Sequence, residues 1–315
     1  MPERSKTMLP ENLFPILKKL LEDRAADPVK INGSSPVGGG CINECFRVDT
    51  SAGTFFVKYN DASRYPGMFE AEAAGLKLLD RAVRKVHDSD ILVPEVVAHG
   101  GDGQHSLLVL EFLESGKKGA GFWEDFGGGL ARLHSSGKEQ EGGRDPGPWF
   151  GLDHPNYIGS LPQSNRRHAD WIGFFIEERL EAQLKLARDA GRAGRELVKG
   201  FESLYPRLPD LFPEEPPAML HGDLWSGNFM VAEAGKAAIV DPAVYYGHRY
   251  MDLGMSRLFG GFAPAFYEAY DSAFPLEKNW VEGTEVANLY PLLVHLNLFG
   301  AGYLGSIQSV LRKFG

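Results

Sequence analysis

Apolar residues recur at roughly helical spacing over residues 13–23 (LFPILKKLLED) and predict a short helix. The pattern then changes. Residues 37–48 and 54–58 read as strand, glycine loop, strand, a turn at Ala52-Gly53 and a further strand, with Phe46 and Val48 alternating as in a hairpin. Helical spacing returns over 66–86 through Met68, Phe69, Ala71, Leu76, Leu78 and Leu79, and two more strands are expected over 92–98 and 106–112. A stretch rich in Gly, Ser and Lys, 114–121, separates this β-rich third from a mostly helical remainder, with helices predicted over 122–135, 168–188 and 194–205. Residues 137–165 form a Gly/Pro-rich loop region. Residues 216–242 break the helical run with two short strand signals, and helical patterns resume from Asp252.

This order predicts an α+β fold of two lobes, a small β-rich lobe over 1–113 and a larger, mostly helical lobe over 114–315. Ligands favour the crevice between such lobes. The 315 residues are 43% hydrophobic and 24% charged, ample for a core and unlike a disordered chain. The net charge of −9, from 33 basic and 42 acidic residues, argues against nucleic acid as partner. No apolar run approaches the ~18 residues of a membrane span, and residues 1–12 hold no apolar signal core. Two cysteines, Cys41 and Cys45, build neither a disulfide framework nor a four-cysteine zinc site, and a reducing, cytoplasmic setting is expected.

The most informative stretch is Leu220-His-Gly-Asp-Leu-Trp-Ser-Gly-Asn228, followed by Ile239-Val-Asp-Pro242. Asp223 and Asn228 stand five positions apart and Asp241 eighteen beyond Asp223. Protein kinases use the same five-residue spacing between a catalytic-loop Asp and an Asn, with a metal-binding Asp further on. The residue types suit the chemistry. One carboxylate takes or orients the proton of an attacking hydroxyl, while an amide and a second carboxylate offer Mg²⁺ the hard oxygens it prefers. Lys58, ending the apolar strand Phe55-Phe-Val-Lys58, can reach ATP phosphates and pair with a helix carboxylate. Of Glu70 and Glu72, Glu72 is favoured because it precedes the apolar face Ala74, Leu76 and Leu79. Gly38, Gly39 and Gly40 lie between strand signals, where backbone can approach phosphate. They depart from G-x-G-x-x-G, and G-x-x-x-x-G-K-[ST] is absent.

At these residues the chain resembles the fructosamine-3-kinase (ketosamine kinase) family, within the kinase-like group that includes aminoglycoside phosphotransferases and choline kinases. The narrower likeness rests on Gly38-Gly-Gly-Cys-Ile-Asn43, Met68-Phe-Glu-Ala-Glu72, Asn156-Tyr-Ile-Gly159, Arg179-Leu-Glu-Ala-Gln183, His221-Gly-Asp-Leu-Trp-Ser-Gly-Asn228, Asp241-Pro-Ala-Val-Tyr-Tyr-Gly247, Leu258-Phe-Gly-Gly-Phe262 and Leu296-Asn-Leu-Phe-Gly300. The resemblance implies a protein-kinase-like fold and ATP-dependent phosphorylation of the 3-hydroxyl of ketosamines, as small molecules or on glycated proteins, which begins deglycation. It implies Asp223 as base, Asn228 and Asp241 as Mg²⁺ ligands, and Lys58 with Glu72 ordering the phosphates. The hinge around Glu111, Phe112 and Leu113 would contact adenine. Trp225 is either a platform for the sugar or a packing residue, and Tyr245 and Arg249 are further candidate substrate contacts. Tyr250 stands where the family usually has an acid, which bears on substrate preference. The rivals are another small-molecule phosphotransferase of the aminoglycoside or choline type, and a pseudokinase binding module.

Cys41 directly follows the three glycines. Backbone N–H groups that attract phosphate also stabilise a thiolate, so Cys41 is a redox candidate. On one extended strand Cys45 lies about 13 Å away, whereas a disulfide needs Cα atoms within ~7 Å. A bridge between two chains is the easier geometry. A monomer or a redox-linked homodimer is expected.

Overall fold

The computed structural model describes residues 8–24, 28–38, 43–86, 90–136, 149–233 and 235–315. Its first unit is an antiparallel five-stranded sheet in the order β1-β2-β3-β6-β5, formed by β1 (Ile31–Pro36), β2 (Glu44–Thr50), β3 (Gly53–Asp61), β5 (Val96–Gly101) and β6 (His105–Glu111). The alternation of β6 decides what each face meets. Leu107 and Val109 join Leu13, Leu17 and Leu21 of the N-terminal segment containing α1 (Phe14–Glu22), in a cluster with Phe46, Val48 and Val57. Leu108 and Leu110 face the other way, into the main core with Phe69, Leu76 and Leu79 of α2 (Met68–Lys85). The sheet is thus held between two amphipathic helices, as the period of each strand requires.

The helical part contains α3 (Phe122–Ser135), the segment α4 (Trp171–Phe174)–π turn (Phe175–Glu181)–α5 (Ala182–Asp189), α6 (Arg195–Leu204), α7 (Leu208–Leu211), α8 (Tyr250–Leu258), α9 (Pro264–Ala273), α10 (Trp280–Ala287), α11 (Leu289–Phe299) and α12 (Leu304–Phe314). Set among them are the hairpin β7 (Asn156–Ile158)–β8 (Leu161–Gln163), and strands β9 (Ala218–Leu220), β10 (Phe229–Val231), β11 (Ala237–Ile239) and β12 (Tyr245–Gly247). β9 pairs antiparallel with β12, and β10 with β11. The loops β9–β10 and β11–β12 therefore emerge side by side. Among the described residues no helix is long and apolar enough to cross a membrane.

Three differences from the sequence reading have local causes. The first strand lies over 31–36 rather than at Val37, because its sequence, INGSSP, carries no apolar alternation to mark it. The strand expected over 92–98 is split at Pro94, which cannot donate to a ladder. Its first part, β4 (Ile91–Leu92), instead runs parallel to β11 in a separate sheet. The loop region after Gly137 contains the β7–β8 hairpin, which the turn residues around it had hidden.

Candidate active site

Lys58 is placed by strand register. Val57 points to the α1 side of the sheet, so Lys58 points to the α2 side, where its Nζ donates to Glu72 Oε1 at 2.7 Å and to Asp241 Oδ1 at 3.0 Å. Lys58 and Glu72 are nearly out of solvent, at 3% and 11% side-chain exposure, while Asp241 keeps 42%. Burial alone would pull the lysine's pKa down, but Asp241 and then Glu72 more than offset it, and it ends above its ordinary value. Lys58 is a fixed cation joining the two lobes.

Asp223 sits in the β9–β10 loop. Gly222 before it has φ +82°, and a Cβ there would meet the carbonyl oxygen of Ala243 at 2.1 Å. Only glycine lets the two neighbouring loops close to this distance. The buried Asp252 of α8 receives the backbone N–H groups of His221 (2.7 Å) and Gly222 (2.9 Å), and His134 Nε2 lies 3.2 Å from the same carboxylate. His221 donates from Nε2 to the Val240 carbonyl at 2.9 Å and accepts the Asp223 N–H at Nδ1 (3.2 Å), which fixes its neutral tautomer. Burial pushes its pKa down in the same sense. The loop is thus bolted from below by side chains of other elements.

Both amide hydrogens of Asn228 are spent on Asp223, on its carbonyl at 2.9 Å and its Oδ2 at 2.8 Å. That arrangement leaves the amide oxygen of Asn228 as its remaining lone-pair donor. Burial is the main cause raising the Asp223 pKa to about 7; Asp241 and Asp252 add to it and the Asn228 hydrogen bond opposes it. Asp241 follows β11 with φ +55°, an unusual conformation for a residue with a side chain. Asp241 and Asn228 together offer oxygen donors of the kind that suits Mg²⁺.

All five groups line one cleft of about 470 Å³ between the lobes. Part of its wall is aromatic. Trp225 lines it and meets Phe259 edge to face at 6.0 Å, with Phe299 and Tyr303 grouped around His295. His295 Nδ1 lies 2.7 Å from the Pro291 carbonyl, and burial depresses its pKa.

Several sequence-predicted residues are not brought here. Tyr245 is fully buried, stacked on Phe174 with the Arg179 guanidinium 3.9 Å from its ring. Arg249 is 2% exposed and grips Glu215 at 2.6 and 2.8 Å and the Phe274 and Pro275 carbonyls. Both are core residues rather than substrate contacts. Tyr250, the departure from the family pattern, is equally buried and packs on Gly283 and His248, so it alters core packing and not the cleft wall. Glu111 ends β6 and Phe112 and Leu113 follow it, all three outside the cleft lining. Glu111 accepts the Glu95 N–H at 2.8 Å, and Phe112 lies under the Arg47 guanidinium. Gly38 is exposed; Gly39, Gly40 and Cys41 lie outside the described residues. Sequence reasoning had assigned no role to Asn156, Tyr157 or His295, which line the cleft, although the first two sit in a string it had singled out.

A model of the family described as fructosamine kinase matches residues 13–314. A probable ketoamine kinase of Enterococcus faecium is 38% identical over 91% of this chain and 97% of its own length. A chloroplastic protein-ribulosamine 3-kinase of Arabidopsis thaliana is 38% identical over 95% of this chain and 87% of its own. The crystal structure of a fructosamine-3-kinase from Thermobifida fusca, so described provisionally, superposes with a TM-score of 0.79 at 31% identity, over 95% of this chain and 96% of that one. An aminoglycoside phosphotransferase, at 12% identity and a TM-score of 0.59 over 90% of this chain and 94% of that one, shares the fold.

Proposed function

The chain belongs to the fructosamine kinase family, and on that premise we propose how its residues divide the work of a kinase that transfers the γ-phosphoryl group of ATP to the 3-hydroxyl of a ketosamine. Asp223 accepts the proton of that hydroxyl. As the substrate oxygen bonds to the γ-phosphorus, the bond to the β-phosphate oxygen breaks and ADP leaves. Lys58, held by Glu72, orients the phosphates. Asn228 holds Asp223 in place by its two amide hydrogens. Asn228 Oδ1 and the Asp241 carboxylate would hold Mg²⁺, which when bound neutralises phosphate charge and polarises the transferred group.

Trp225, which lines the cleft, packs against the ketosamine. Ketosamines carried on small amines and on protein lysines both fall within this reading. The observation that carries it is the convergence of Lys58, Glu72 and Asp241 with Asp223 and Asn228 on one cleft. The test is ATP consumption with fructosyl-, ribulosyl- and erythrulosyl-lysine, set against an aminoglycoside and choline. Turnover with the ketosamines alone is the expected result, and turnover confined to either control would replace the substrate class while leaving the phosphotransfer.

A further inference from the structure

Asp241 holds a left-handed backbone conformation that is costly for a residue with a side chain and persists only where the surroundings over-determine it. One side of its loop is stitched to the catalytic segment, Val240 N–H to the Asn228 carbonyl and Ala243 N–H to the His221 carbonyl, both at 2.9 Å. The other side is held by the β7–β8 hairpin. Asn156 Nδ2 donates to the Val244 carbonyl at 2.8 Å, and Gln163 Nε2 donates to the Ala243 carbonyl at 3.2 Å and to Asn156 Oδ1 at 2.8 Å.

Gln163 is oriented in turn by the Tyr290 hydroxyl, which donates to its Oε1 at 2.5 Å. The end of the hairpin is gripped by Arg179, wholly buried on the π turn, through the Ser164 carbonyl (2.6 Å) and Asn165 Oδ1 (2.8 Å). Among the described residues its guanidinium meets carbonyl and amide oxygens and the faces of Phe174, Tyr245 and Tyr290, with no carboxylate. A π turn is rare and recurs at functional sites. Buried polar networks rigidify what they hold, and two donors of this one, Asn156 Nδ2 and Gln163 Nε2, end on the Val244 and Ala243 carbonyls of the Asp241 loop. The hairpin also reaches the other lobe: Tyr157 donates its hydroxyl to the Pro66 carbonyl, just ahead of the helix that carries Glu72.

We propose that Asn156 and Gln163 are positioning residues for phosphoryl transfer, and that the β7–β8 hairpin is a strap fixing the Asp241 loop, with Arg179 and Tyr290 as its fastenings. The strap acts through Asp241, and Gln163 does so from outside the cleft. The inference rests on the reading of the cleft as a magnesium–nucleotide site.

Gln163 is the residue to test, because it is 2% exposed and does not line the cleft, whereas Asn156 does. Gln163→Met keeps the length of the side chain and removes both donated bonds. ADP affinity is measured by calorimetry with Mg²⁺ and with chelator, beside steady-state kinetics. Outer-shell partners of metal ligands are typically worth about 10–100-fold in metal affinity or activity. Gln163→Met is therefore expected to lose about 10-fold of the Mg²⁺-dependent gain in ADP affinity and a similar factor in kcat, while ADP affinity in chelator and KM for the ketosamine stay within about twofold. A folded Gln163→Met that keeps the full Mg²⁺ gain overturns the proposal. Should that variant not fold, Tyr290→Phe, which frees the Gln163 amide, carries the same test with a smaller shift, and an unchanged Mg²⁺ gain there is equally fatal. If the unaltered protein binds MgADP but leaves ketosamines untouched, only the substrate assignment falls. If Mg²⁺ adds nothing to its ADP affinity, the metal reading of the cleft falls first.

Discussion

Lys58 and Asp223 face one cleft from opposite lobes, Lys58 buried and Asp223 partly so, yet desolvation has opposite consequences for them. Lys58 meets two carboxylates within 3.0 Å and its proton is locked on, with its pKa above the ordinary lysine value. Asp223 meets an amide, and the charged groups that shift it, Asp241 and Asp252, are both negative; its pKa rises to about 7. Desolvation penalises charge in both places. What differs is the sign of the company each keeps. One lobe supplies a permanent cation suited to holding phosphate, the other a carboxylate whose proton comes and goes near neutrality, as a general base requires.

The sharpest way to break this contrast is Asp223→Asn. Turnover is expected to fall by ~10²–10⁴, the range for removal of a general base, with MgADP affinity nearly unchanged. Stability is expected to move the other way. Because the folded pKa lies above the unfolded value, Asp223 binds more protons in the native state between about pH 4 and pH 7, and its contribution to stability is lost as pH rises through that window. Asparagine removes the penalty, so the variant is expected to be more stable at pH 8 by on the order of 1–3 kcal/mol, read as a raised Tm. A variant that is active, or less stable at pH 8 than at pH 4 by as much as the unaltered protein, would contradict the assignment.

Lys58→Met attacks the other side. It leaves Glu72 buried without its cation, and breaking such a pair costs about 3–5 kcal/mol when both partners are dry. The Asp241 side of the contact is open to solvent and adds little. The expected loss is therefore toward about 3 kcal/mol, measured by denaturant titration, with nucleotide affinity lost as well. Loss of nucleotide affinity without loss of stability would mean that the Lys58–Glu72 pair serves the ligand alone.

The residues in this contrast were legible because the chemistry fixes their order and spacing: a lysine on an apolar strand (expected at its end, though β3 runs on to Asp61), a glutamate on the next helix, Asp and Asn five apart, and a later Asp. Helices with a strong period, α1, α2 and α3, were legible for a similar reason, since one apolar face repeats. The strap was not. Its hairpin is two three-residue strands inside a loop region rich in Gly and Pro, and the π turn shifts side-chain direction with no mark in the sequence. Tyr245 and Arg249 were misassigned because a motif shared with a family says that residues matter without saying which way they face. Asp252 was legible only as the start of a helical pattern, and its role as acceptor for the His221 and Gly222 amides depends on packing between distant segments.

A subtler test separates free and liganded enzyme. The rising acid limb of kcat/KM reports the free enzyme, and that of kcat the substrate complex. Asp223 must be ionised to accept a proton, so activity falls on the acid side of about 7 in the free enzyme. A cation held by Asp241 cancels one of the negative charges that raise Asp223, so the kcat limb is expected about one pH unit lower. Coincident limbs near pH 4 would show that Asp223 is not the titrating group.

Tyr157→Phe should have the smallest effect, and it asks whether the two regions communicate through the strap. The substitution removes one hydrogen bond, 2.9 Å, between the hairpin and Pro66, and keeps the ring that lines the cleft. A single neutral hydrogen bond is worth about 0.5–1.5 kcal/mol, and a partly exposed one sits at the low end. Pro66 lies just before α2, so the bond bears on where that helix carries Glu72, and hence on Lys58; it touches nothing that holds Asp223. The expected result is a two- to threefold rise in KM for ATP (about 0.5 kcal/mol), with the acid limb of kcat/KM unmoved. A shift of that limb without a change in KM for ATP would mean that the hairpin acts on the aspartate side of the cleft only, and that the Lys58 side is positioned by its own lobe.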